Sequence, residues 1–285
     1  MDMKQRLTAF FLLFAVFFAL PLAVYADAGP KPSVQITFSS LPNEPCYATL
    51  LSERASTGPS SAWDGTMAHA RYEEGEEEIW KAFVDYQDPD GFYFLQEIWD
   101  CTETGRLDWT YYPPNSFKIL LYFPQSGQFW TSPIYERYAF DSYFTVDLTQ
   151  VENGIFTAEK HYDFTWELIS MAARMVLTLV VELAVALVFG YRNRHQLRII
   201  FLVNVATQIG LNLLINLANW KSGAFAFILA YLGLELIVFA IEAVLYVYFL
   251  SPDKSKKRAV LYALVANVLS FWIGMRVSMW IPDIA

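Results

Sequence analysis

The sequence predicts an α+β multidomain membrane protein: an exported all-β sandwich, Ig-like or transthyretin-like, followed by a four-helix transmembrane bundle. Three observations carry this prediction. Between Glu167 and Ile281 most residues are apolar, and the long runs break at basic loops. Between residues 29 and 160, short aromatic and β-branched runs are punctuated by turn residues. The N-terminus has the layout of a secretory signal. With 285 residues and two halves of different character, two structural units are the natural division.

The chain opens with Lys4 and Arg6, then the apolar run Leu7–Leu20, then small residues ending Ala26-Asp27-Ala28. Residues 1–28 therefore read as a signal peptide cut after Ala26 or Ala28, the alternative being an uncleaved signal anchor that adds a fifth span. Either way, the segment that follows is exported. In the domain 29–160, Ser33–Ser39 and Tyr47–Leu51 alternate in polarity. Phe92–Ile98, Leu107–Tyr112, Phe117–Phe123, Gln128–Ser132, Tyr135–Phe140 and Tyr143–Leu148 are further expected strands. Turn chemistry separates them at Gly58-Pro59-Ser60, Asp88-Pro89-Asp90-Gly91, Pro113-Pro114-Asn115 and Pro124-Gln125-Ser126-Gly127. One helix is expected, Glu76–Tyr86, with Ile79, Trp80 and Phe83 on one face. The only cysteines, Cys46 and Cys101, both lie in this domain, and an even pair in an oxidising compartment is expected to form a disulfide.

A membrane span needs about 20 mainly apolar residues. The region 161–285 offers four, at about 168–190, 199–220, 224–250 and 259–281. The loops 191–198 and 251–258 are rich in Lys and Arg, which places them in the cytoplasm and residues 29–166 outside the cell membrane. The spans are not clean hydrocarbon. Ser170, Arg174, Thr178 and Glu182 fall at four-residue steps on the first. Asn204, Thr207, Gln208, Asn212, Asn216 and Asn219 mark the second, Tyr231, Glu235, Glu242 and Tyr246 the third, and Asn267, Ser270, Gly274 and Ser278 the fourth. Charged groups in a bilayer normally face a bundle interior or water. Four aligned stripes therefore imply a bundle with a polar seam.

The seam also echoes itself. Val181–Val185 resembles Ile241–Leu245, and Asn204-x-x-Thr207 resembles Asn267-x-x-Ser270, as in a duplicated helical hairpin. The Asn and Thr rows suit helix–helix adhesion. Three intramembrane carboxyls, Glu182, Glu235 and Glu242, exceed what adhesion needs and suit a proton, cation or small-ligand site, with Arg174 as a candidate partner.

The exported domain is acidic, with Glu73, Glu74, Glu76, Glu77 and Glu78 in one run, and this excludes nucleic acid as a partner. Asp88, Asp90, Gly91 and Glu97 match part of an EF-hand-like calcium loop, but Tyr86 stands where its first carboxylate should be, so a helix-to-strand turn is the expectation. The histidines, His69, His161 and His195, are scattered over two compartments, and no hydrolase or phosphate-loop motif occurs. The reading therefore leans away from an enzyme and includes no metal or cofactor.

Several segments resemble an uncharacterised membrane-protein family of Gram-positive, clostridial-type bacteria. They are Gly29-Pro30-Lys31-Pro32-Ser33, Tyr47–Ser52, Pro113–Tyr122, Glu182, Asn204-x-x-Thr207, Glu235 through Tyr246, and Asn267-x-x-Ser270. The resemblance implies the same signal, β domain and four helices, and no activity. Two functions follow as expectations. In one, the β domain binds or senses an envelope or extracellular ligand. In the other, the bundle is a small-solute or proton-coupled transporter, working as a homodimer because four spans are few for a solute path.

Overall fold

The computed structural model describes residues 31–250 and 255–280, without the side chains of 166, 167, 170, 224, 227 and 274–280. The expected signal segment 1–28 and the last residue of the fourth expected span lie outside the described residues.

The N-terminal region is built of β-sheet. One sheet contains β1 (Ser33–Ser39), β7 (Arg106–Trp109), β11 (Asp141–Asp147) and β12 (Ala158–Lys160), in the order β12-β11-β1-β7. Its central pair, β1 with β11, is parallel, whereas β1 with β7 is antiparallel. The second sheet is built on β2 (Tyr47–Ser52) and β8 (Ser116–Phe123). To these are added β5 (Tyr93–Phe94), β6 (Trp99–Asp100), β9 (Gln128–Thr131) and β10 (Tyr135–Glu136). A separate two-stranded ladder joins β3 (Ser56–Thr57) to β4 (Ser60–Ser61).

Alternation places Val34, Ile36 and Phe38 of β1 on the inner face, where they meet Leu50 of β2, Ile119 and Leu121 of β8 and Phe144 of β11 in one core. Each such side chain contributes roughly 1.5–3 kcal/mol on burial. The helix α1 (Glu77–Asp85) covers the other face of the second sheet, packing Trp80 and Phe83 on Leu51, Phe94 and Leu120. β2 and β8 are thus buried on both faces, which is why β8 reads as an almost unbroken apolar run.

Three expected strands are shorter than the pattern suggests, and of these Leu107–Tyr112 ends at Trp109, before Tyr112 takes a positive φ of 51°. Phe92–Ile98 is broken because Gln96 takes a positive φ of 64° and its amide donates to the Ser61 carbonyl at 3.0 Å. Tyr135–Phe140 pairs only as far as Glu136, beyond which the chain turns to the helices.

Three helical segments are long and apolar enough to cross a membrane: Met171–Val188, Arg194–Gly223 and Ile228–Leu250. The first belongs to α2 (Thr165–Val188), and the other two are the arms of α3 (Arg194–Leu250). A further helix, α4 (Lys256–Trp280), packs against both α2 and α3. α2 ends in a Schellman motif, with Tyr191 N–H donating to Ala186 and Gly190 N–H to Leu187. Gly190 has a φ of 78°, and the Arg258 guanidinium donates to the freed Phe189 carbonyl. The first basic loop is shorter than expected, because the Asn193 side chain accepts from His195 N–H and starts α3 at Arg194.

α3 leaves helical geometry at Gly223 (φ 79°, ψ −177°), and its arms pack together through Leu211, Ile215 and Val238. The β region is seated on this bend. Phe140 N–H donates to the Trp220 carbonyl at 2.8 Å, and the Trp220 ring lies among Tyr138, Tyr162 and Phe164 at centroid distances of 5.6, 4.6 and 5.5 Å. A Cβ at Gly223 would stand 2.5 Å from the Phe140 ring, so glycine is required there by both backbone and packing.

Candidate functional site

Four-residue spacing aligns the polar residues of each helix, and packing turns the stripes toward one another. Glu182, Asn204, Gln208, Asn212, Glu242, Asn267 and Ser270 are all buried. Thr207 and Glu235 are partly buried. The side chains of Ser170, Gly274 and Ser278 lie outside the described residues.

Glu242, on the second arm of α3, holds helices on both sides. Its Oε1 accepts from Thr207 Oγ1 at 2.6 Å, and its Oε2 accepts from Asn267 Nδ2 at 2.7 Å. One carboxylate therefore ties both arms of α3 to α4. A turn further along, Asn204 Nδ2 donates to the Tyr246 hydroxyl at 2.8 Å and to the Ile200 carbonyl at 3.0 Å.

Glu182 is different. It is fully buried, and among the described residues neither of its oxygens has a hydrogen-bond partner. Asn204 lies beside it, and Asn204 Oδ1 is also unpartnered. Glu242 and, more weakly, Glu235 act on it electrostatically. The Asn204 side chain is within hydrogen-bonding reach of the Glu182 carboxyl, so a proton on Glu182 would pair with Asn204 Oδ1. The two glutamates are not equivalent, despite the echo between their sequences.

A second polar group sits on the other side of Thr207. Arg174 Nε donates to Asn212 Oδ1 at 3.1 Å. Arg174, Thr178, Gln208, Asn212, Tyr231 and Ser270 surround a cavity of about 10 Å³. That is about the minimum for a single water. Glu235 pairs with Tyr231, one turn before it. An apolar groove of about 460 Å³ runs between the arms of α3, lined by Leu202, Ala206, Gly210, Leu234 and Ile241, and Thr207 reaches it from the Glu242 side. Of the polar residues expected along the helices, Glu182, Asn204, Thr207, Glu242 and Asn267 form one group, and Arg174, Thr178, Gln208, Asn212, Tyr231, Glu235 and Ser270 a second.

Sequence reasoning missed Tyr262, Tyr191 and Arg258. Tyr262 is fully buried and its hydroxyl donates to the Glu182 carbonyl at 3.3 Å. The signal was present: Ala259, Tyr262, Ala263, Ala266, Asn267 and Ser270 form one buried stripe at steps of three and four.

In the β region Cys46 and Cys101 are buried free thiols. They stand opposite each other at the end of the β2–β6 ladder, next to the pair Tyr47–Asp100, and Cys101 N–H donates to the Cys46 carbonyl at 2.9 Å. Burial, with the charges of Asp100 and Glu44 nearby, pushes the Cys46 thiol up to about 12. The calcium-like loop is a turn, closed by Gly91 N–H on the Asp88 carbonyl. Lys118 Nζ occupies its acidic side, 2.5 Å from Asp88 and 3.0 Å from Asp90. Glu97 is turned away and accepts from Ser60.

Comparisons of the chain with protein-family models, curated proteins and solved structures find no match.

Proposed function

We propose that the chain is a multi-pass protein of the cell membrane in which an exported, ligand-binding β-sandwich acts on a four-span bundle with a polar core. The observation that carries this reading is the seat of the β region on the α3 bend, where Phe140 bonds to the Trp220 backbone and fills the space above Gly223. A domain merely tethered to an anchor needs only the chain at 161–165. This one also grips the turn joining two helices that carry Thr207 and Glu242. A shift of the segment 137–140 on ligand binding would therefore reach the seam directly. On this topology residues 31–166 and the Gly223 bend are extracytoplasmic, the loops around Arg192 and Lys257 are cytoplasmic, and α4 is the fourth span. The oxidising location favours a Cys46–Cys101 disulfide, because directly opposed antiparallel residues have the Cα spacing that the bond needs.

The reading is tested by complementation of a deletion strain. A chain lacking residues 31–160 but present at normal level is expected to fail, and full rescue by it would exclude a role for the β domain. A second reading, proton- or cation-coupled transport, is favoured by the buried Glu182 carboxyl and the Asn204 Oδ1 beside it, which lack the paired donors that Glu242 has. It requires E182Q, E235Q and E242Q combined to abolish rescue at normal protein level. Rescue by that triple variant excludes it.

A further inference from the structure

The face of the β region beside the α3 seat carries a cleft that none of the preceding contacts uses. Its volume is about 510 Å³, within the range of small-ligand sites. It is lined by two guanidinium side chains, Arg54 and Arg137, and by Thr57, Tyr112, Asn115 and Ser116. The loop Tyr112-Pro113-Pro114-Asn115 forms one wall, held by Thr57 Oγ1 donating to the Tyr112 carbonyl at 3.1 Å and by Arg137 N–H donating to the Asn115 carbonyl at 2.9 Å.

Charge makes the cleft exceptional. Residues 31–160 carry twenty acidic and eight basic side chains, so two arginines meeting at one concavity, with Glu53 the one acid on its wall, oppose the trend of the domain. Arg137 also carries an unmet hydrogen bond. Its Nε is buried and, among the described residues, has no acceptor. The Asp141 carboxylate acts on it at longer range but takes its hydrogen bond from Ser33 Oγ at 2.6 Å. A buried guanidinium N–H without an acceptor has lost its water and gained nothing in return. A planar oxyanion is the partner that its fork of donors fits.

We propose that this cleft binds a small hydroxylated oxyanion, a carboxylate- or phosphate-bearing sugar or similar molecule, through Arg137 and Arg54. The polar walls would meet the ligand's hydroxyls, and Pro113, Pro114 and Tyr112 offer flat surfaces for a ring. This deepens the sensing reading and rests on it for its consequence: Arg137 lies three residues before Phe140, which grips Trp220. An anion drawn onto Arg137 pulls on the segment that holds the bend.

The test uses the full-length protein in detergent, titrated calorimetrically with D-glucuronate, inorganic phosphate and, as neutral control, D-glucose. Saturable heat is expected for glucuronate or phosphate and not for glucose. R54Q, at an exposed position, and R137K, which keeps the charge and loses the fork, are each expected to weaken binding about tenfold or more while leaving the melting temperature unchanged. Binding of glucuronate alone assigns a carboxylate source, and binding of phosphate alone a phosphate source; both support the cleft. No saturable heat with either anion, or equal heat with R54Q and R137K, overturns it. Hydrogen exchange at 218–224 is read in the same samples. Anion binding without a change there leaves the cleft standing and removes the relay, so the two failures are separable.

Discussion

Lys118 is the clearest case of a side chain whose role follows from its surroundings. It is almost fully buried, and its two partners include Asp88, whose carboxylate is also inaccessible. Burial alone would lower its pKa, but the hydrogen bonds and charges of Asp88 and Asp90 outweigh that and hold it above 10.5. Its contribution is therefore complete below the unfolded value near 10.5 and is lost as pH rises through the higher folded value. Lys118→Met strands Asp88 and is expected to destabilise the β region by about 3–5 kcal/mol in denaturant unfolding followed by tryptophan fluorescence. A loss below about 1 kcal/mol would mean that the pair is solvated. The cysteines make a second residue-scale prediction. With a thiol pushed up to about 12, reduced native protein should resist iodoacetamide near neutral pH until unfolded. Protein from an oxidising compartment should yield no free thiol even when unfolded, and the bond should add about 4 kcal/mol of stability. Two free thiols in that sample would exclude it.

At the scale of elements the bend at Gly223 and the stop at Gly190 carry most of the architecture. Gly223→Ala places a Cβ against Phe140 and forces a non-glycine residue to a φ of 79°. A cost of about 1–3 kcal/mol is expected. That corresponds to roughly 5- to 150-fold faster hydrogen exchange at residues 138–140 and 220–223. Unchanged exchange would mean that the seat is not a rigid contact. Most elements were legible because their patterns are local: alternation in Ser33–Ser39, the apolar face of α1, and the Asn, Thr and Glu steps along the helices. The break in Phe92–Ile98 and the short β10 were not, because their causes are distant partners, the Ser61 carbonyl for Gln96 and Trp220 for Phe140. The parallel pairing of β1 with β11 is hidden for the same reason, since more than 100 residues separate its strands. Nor does any short-range pattern tell Asp88 and Asp90 that their counter-ion will be a lysine from β8.

At the scale of the whole molecule, the two core glutamates make opposite demands on a neutral substitute. Glu182→Gln brings an NH₂ group to the unpartnered Asn204 Oδ1 and should leave the melting temperature equal or higher. Glu242 accepts on both oxygens, so Glu242→Gln sets an NH₂ against the donor of Asn267 or Thr207 and should cost about 1–3 kcal/mol. Thermal denaturation of the two purified variants decides this. Equal losses would contradict the asymmetry of the seam. That the seam exists was readable from spacing, but which glutamate is satisfied was not, because it depends on the rotation of Asn204 toward Tyr246.

The tie between the arms of α3 has a consequence for biogenesis. Thr207 to Glu242 and Asn204 to Tyr246 are both bonds from the ascending arm to the returning one. A nascent chain that ended at the bend would present these amides and hydroxyls to lipid with no counterpart. On the proposed topology the two arms are therefore expected to leave the insertion machinery together, as a closed hairpin. Translation arrested near residue 225 should remain cross-linkable to the translocon, and arrest beyond residue 250 should release it once the second arm has emerged from the ribosome.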